Sequence, residues 1–349
     1  MGLKKFNEEE KVDQEEEKLD QAKEEASKLE EIINENSKEE EELKNLPLDE
    51  KQKIVTGKIE DARLAYFAYT KKQKKINTII SIGVIIVLII CIVLIFALGE
   101  ANPWVSYLAL GLMVVAVILT FVATKVIKGK LSKRAEEYIK VLYQNVNDYL
   151  FSGENFSKLE VKAYGQLKDE LFIAAGFYKN IKGTKSRNLV SVYYKDKQMA
   201  VADLAANILV KNRLSPMFLG KFYDYTSSYS KEGKRIIMQI KGGQLSRPVD
   251  DIDDLKLVES TDTYLIYTND DEWRKTLNQH TIKDILKLKI DKTLIDVLIS
   301  IRKDKCSIGI DYIDEFMNIP VEHEFDFNNV KRTELDLNKV LTIFDDLNN

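Results

Sequence analysis

The sequence predicts an α+β membrane protein. It reads as an N-terminal helical or coiled-coil arm, a two-helix transmembrane hairpin, and a C-terminal cytoplasmic α+β domain with a mostly antiparallel sheet. Three observations predict this. Residues 78–98 and 103–124 are apolar runs of 21 and 22 residues without a charged side chain. Lysines crowd the outer flank of each run and are missing from the four residues between them. Downstream, a 219-residue segment (131–349) mixes helical and alternating hydrophobic periods, enough to bury a core.

Charge divides the chain. Residues 1–45 carry 17 acidic and 8 basic side chains, 46–75 carry 4 and 8, and 131–349 carry 34 and 33. The last segment lacks the concentrated basic face that phosphate binding needs, so no nucleic-acid partner is expected. The acidic arm, 1–45, is rich in Glu, Lys, Gln, Ala and Leu, a helix-forming mixture. A heptad threads Val12, Leu19, Ala26 and Ile33, with Ala22 and Leu29 at the second seam. It lasts about two heptads before Glu15, Asn36 and Glu40 intrude. Two readings stand: a solvated acidic helix, or self-association through 12–33. Asn45-Leu46-Pro47 punctuates the arm. Asp49 then caps an amphipathic helix through Ile54, Ile59, Ala62, Leu64 and Phe67, which with the basic collar makes up 46–75.

The hairpin comprises one transmembrane helix over 76–98, a short external turn over 99–102, and a second helix over 103–124. Roughly 20 apolar residues cross a ~30 Å hydrocarbon core, and neither run has the polar stripe of a soluble helix. Pro103 suits a helix start and Trp104 an interfacial anchor. Lys71, Lys72, Lys74 and Lys75 precede the first helix; Lys125, Lys128, Lys130, Lys133 and Arg134 follow the second. The positive-inside rule then places both termini in the cytoplasm and the chain in the cell membrane. The same collar suits anionic lipid headgroups, at roughly 1 kcal/mol per cation near the surface. Uncharged spans, with Cys91 and a few Ser and Thr as their polar groups, argue against an ion path. Ala116, Thr120 and Thr124 form a small-xxx-small run that would permit close helix packing. No leader peptide is read at the start, and Phe6 stands where a myristoylation motif wants Ser or Thr. Lys- and Asn-rich, Pro-poor usage is that of an AT-rich bacterium.

In 131–349 the second span is expected to continue helically through Tyr138, Leu142, Val146 and Leu150, ending at Ser152-Gly153. A further helix is expected over 157–178, from Leu159, Val161, Tyr164, Leu167 and Leu171. Residues 188–194, 217–225, 235–241, 255–258 and 264–268 read as strands; 199–210 reads as strand or helix. Residues 271–288 read as a helix. Ile295, Val297, Ile299 and Ile301 alternate with Asp296, Leu298, Ser300 and Arg302, Lys303-Asp304-Lys305 turns, and Ile308, Ile310 and Tyr312 alternate back: a hairpin with one buried face. An amphipathic helix closes the chain over 333–347.

The order of these parts resembles a bacterial family of uncharacterised two-transmembrane proteins, domain of unknown function 3137. The likeness rests on Phe218-Leu219-Gly220-Lys221-Phe222, on Tyr264-Leu265-Ile266-Tyr267-Thr268 after Leu257-Val258-Glu259, and on the closing hairpin 295–310. It covers about 76–345 and implies architecture and membrane location, but no activity.

No catalytic constellation is legible. The glycines at 153, 176, 183 and 220 do not form a phosphate loop, and Lys182–Ser186 reads as a solvated basic turn. His323 lacks a second histidine at metal spacing, His280 reads as a surface residue, and Cys306 as a small buried hydrophobe. Asp250, Asp251, Asp253 and Asp254 lack the glycine and terminal glutamate of a calcium loop. Tyr193, Tyr194, Tyr223, Tyr225 and Tyr229 read as core and rim. The expectation is therefore a non-enzymatic, cofactor-free and metal-free chain: a membrane-anchored interaction or regulatory module whose cytoplasmic domain binds a protein partner. The alternative is an oligomeric transporter or channel accessory subunit, and a membrane enzyme is a third reading.

Overall fold

The computed structural model describes residues 50–98, 102–210, 213–241, 254–288, 294–312 and 321–348. The arm, the Asp49 cap, most of the 99–102 turn and three of the four aspartates at 250–254 lie outside the described residues. Two compact units emerge, a helical one drawn from 50–149 with 321–325 and a sheet unit drawn from 150–312 with 326–348.

The helical unit is built on two uninterrupted helices, α1 (Glu50–Leu98) and α2 (Pro103–Leu150), 49 and 48 residues long. The collar helix thus runs straight into the first apolar run, and the second run continues to Leu150 as its period predicts. Outside the apolar runs the helices form a stem with its own core. Val55 and Ile59 on α1, and Tyr138, Leu142 and Val146 on α2, are buried at i,i+4 spacing. Tyr66 and Tyr138 stack with ring centroids 5.8 Å apart. Buried Gln52 donates to the Tyr149 hydroxyl at 3.2 Å.

The sheet unit holds one nine-stranded sheet, every neighbouring pair antiparallel. In chain order the strands are β1 (Phe156–Lys162), β2 (Ile181–Tyr194), β3 (Lys197–Val210), β4 (Arg213–Thr226), β5 (Arg235–Lys241), β6 (Lys256–Ser260), β7 (Tyr264–Thr268), β8 (Leu294–Arg302) and β9 (Lys305–Tyr312). In space they run β1-β2-β3-β4-β9-β8-β5-β7-β6. Four helices accompany them: α3 (Asp169–Ala175), α4 (Trp273–Thr276), α5 (Gln279–Leu286) and α6 (Asn328–Asp346).

Alternation along each strand makes two cores. On one face Phe218 and Phe222 of β4 meet Ala202, Ile237, Leu298, and Phe172 and Phe177 from α3 and the segment after it. On the other, Met199, Tyr223, Tyr225, Ile236, Met238, Ile308 and Ile299 are buried, and α6 stacks Phe344 on Tyr225 at 4.4 Å. Four of the five singled-out tyrosines are buried; Tyr193 is half-buried. Cys306 is also fully buried, and burial pushes its thiol far above the ordinary value.

Four expectations need correction. Residues 157–178 are not a helix: β1 comes first, then the seven-residue α3. Lys158 takes a φ of 53° and the β1–β2 register shifts between Ser157 and Glu160, so a bulge hides the strand's alternation. Lys182–Ser186 is not a turn; it lies within β2, and Gly183, Thr184, Lys185 and Ser186 pair with β3, where tertiary pairing supplies what their composition does not. The 271–288 helix is two, because the Asn278 side chain accepts from His280 N and Thr281 N and caps a new one. The ambiguous 199–210 resolves as strand; the hairpin at 295–312 forms, but it has two buried faces and not one, because each side of the sheet carries a core: Asp296, Leu298 and Ser300 are as buried as Val297, Ile299 and Ile301.

Candidate membrane interface

The two apolar runs keep their side chains outward. Within the most apolar window of each helix only 6% of residues are buried. Ile79, Ile82, Ile85, Ile89 and Phe96 on α1, and Leu112, Ile118, Leu119 and Phe121 on α2, are all exposed. Among the described residues of the runs, the buried exceptions are Cys91 and Ala109, both small. Ala116, Thr120 and Thr124 are half-buried instead, and Thr120 Oγ1 donates to the Ala116 carbonyl at 2.8 Å.

All eight predicted collar residues, Lys71, Lys72, Lys74, Lys75, Lys125, Lys128, Lys130 and Arg134, are exposed. The helix pairing brings them to one level. Arg134 lies over the Tyr69 ring at 5.6 Å, while Val84 shares a groove with Val117 and Lys128, so both lysine groups fall between these two contacts. Arg134 also pairs with Glu137 at 2.8 Å.

Sequence reasoning missed a clasp beneath the collar. Arg63 is a buried cation in the stem. Its Nε donates to Glu60 Oε2 at 2.8 Å and its terminal nitrogen to the Val321 carbonyl at 2.6 Å. Phe325 N donates to the same Glu60 oxygen at 3.1 Å. The Arg63 hydrogen bond, reinforced by that of Phe325, holds the Glu60 carboxyl below its ordinary value despite burial; Glu60 in turn raises Arg63. The partners are separated by about 260 positions, and Val-Glu-His-Glu-Phe offers no periodic cue to their meeting.

Two charged groups in the sheet unit were likewise illegible. Asp203 and Lys221 are direct cross-strand partners, nearly fully buried, with Lys221 Nζ 3.3 Å from Asp203 Oδ1. His280 Nδ1 lies 3.2 Å from Asp284 Oδ2 and 3.5 Å from Asp346 Oδ2. That trio offers the donor types of a cation site. Lys287 already sits 2.9 Å from Asp284, which favours an ion-pair network joining α5 to α6. Burial and the neighbouring Asp284 carboxylate push Asp346 upward.

Comparison of the chain with protein-family models, with curated proteins and with solved structures gave no match.

Proposed function

We propose that this chain is a two-pass protein of the cell membrane with both ends in the cytoplasm, whose hairpin anchors an α+β domain that recruits a protein partner. The observation that carries the anchoring is the outward display of large apolar side chains along both runs, set against a stem that buries Val55, Ile59, Leu142 and Val146. Each such side chain left in water forgoes about 1.5–3 kcal/mol, and two adjacent belts of them call for hydrocarbon around them. The flanking lysines support the orientation. Membership of the two-span family resembled above belongs to this reading, supported by the order of parts: two long apolar helices, then an antiparallel sheet.

Partner binding is supported by apolar groups that the sheet unit leaves exposed. Leu209 and Leu214 form a cross-strand pair near the tip of the β3–β4 hairpin, and Leu257 lies exposed on the edge strand β6. Crosslinking of the full-length chain in its native membrane should capture a reproducible partner, and Leu209→Ser with Leu214→Ser should reduce its yield. No partner in repeated captures would sink the recruiting role. The transporter reading is disfavoured because neither apolar run carries a charged side chain.

A further inference from the structure

We propose that the hairpin carries a specific site for one anionic phospholipid; this rests on the membrane-spanning reading. Val117, Thr120, Phe121, Thr124, Lys125 and Lys128 recur at three- and four-residue steps and so form a single stripe along α2. Together with Val84 of α1 they line an open groove of about 640 Å³. That volume is within the range of small-ligand sites.

The groove is polarised along its length. Its lower part is walled by Val84, Val117 and Phe121, which offer an acyl chain apolar contact. Its upper end holds Thr124 and then two exposed ammonium groups one helical turn apart. No acidic side chain lines it. Lys125 and Lys128 therefore meet a headgroup phosphate at the depth where the apolar run ends. A zwitterionic lipid would bring a second positive charge to the same place, so the charge pattern selects a net-anionic headgroup. Cys91 and Ala109 are buried nearer the turn, while Val84, Val117 and Phe121 line the open groove nearer the collar.

The test is native mass spectrometry of the full-length protein, released from micelles doped with equal dioleoyl-phosphatidylglycerol and dioleoyl-phosphatidylcholine. The wild type is expected to retain one phosphatidylglycerol in preference, by about tenfold. Lys125→Gln with Lys128→Gln should abolish the preference. Val117→Trp, which fills the groove with both lysines intact, should lower retention of either lipid. Lys71→Gln with Lys72→Gln should leave it unchanged, because those lysines do not line the groove. Equal losses from the two lysine pairs would reduce the effect to general collar electrostatics and overturn the site, as would no preference in the wild type. The parent reading fails separately: protein released from membranes by an alkaline carbonate wash would sink the anchor itself.

Discussion

Gly220 shows how much one missing side chain decides. It sits inside β4, opposite β9, where a Cβ would fall 1.8 Å from the Ile310 carbonyl oxygen. Gly220→Ala must therefore push two paired strands apart, at a cost of about 3 kcal/mol or more. Urea unfolding of the purified protein should show it, whereas Gly129→Ala in α2, which meets nothing, should stabilise by a few tenths to about 1 kcal/mol. The Asp203–Lys221 pair gives a second test at this scale. Lys221→Ala leaves a buried carboxylate without its cation and should cost about 3–5 kcal/mol. Replacing both, as Asp203→Leu with Lys221→Met, should recover most of that loss, and a double variant as unstable as the single would refute the pairwise account.

Among elements, the stem's clasp makes a pH-dependent prediction. Glu60 is held below its ordinary value of 4.5 in the folded state, so its contribution is complete above that value and is lost as pH falls through the lower folded one. The Phe325 amide, bonded to Glu60, should thus be protected from hydrogen exchange at pH 6 and lose protection selectively in strong acid. Glu60→Gln should remove much of that protection at pH 7, and an unchanged Phe325 amide would mean the clasp does not hold this segment. The elements also show where periodicity is a sound guide. The β8–β9 hairpin was legible because Ile295, Val297, Ile299 and Ile301 alternate without interruption, and Lys303-Asp304 turns with Asp304 at a φ of 57°. The bulged β1 and the polar first half of β2 were not, because pairing with a neighbour, not their own pattern, makes them strands.

For the whole molecule, charge asymmetry across the hairpin sets the expected topology. Reporter fusions after Asn349 and within 99–102 should report opposite sides of the membrane. Changing the collar lysines 71, 72, 74 and 75 to glutamine while adding lysines to the turn should raise the inverted population. Two fusions reporting the same side would overturn the hairpin.

What the sequence determined by itself was whatever depends on local repetition. That includes the length of the two apolar runs, the flanking lysines Lys71–Lys75 and Lys125–Arg134, the helical continuation to Leu150, and the alternating closing hairpin. Each is a one-dimensional pattern read over neighbouring residues. Only the tertiary structure decided what depends on distant residues meeting. It set the strand order, which places β5 between β8 and β7, and the Arg63–Glu60 clasp on residues 321–325. It paired Asp203 with Lys221 and opened the groove between Val84 and the α2 stripe. Those contacts join positions far apart in the chain, and loop closure leaves no local trace of which partners it brings together. The collar itself spans both classes: its charges are plain in the sequence, but only the pairing of α1 with α2 brings its two halves to one level.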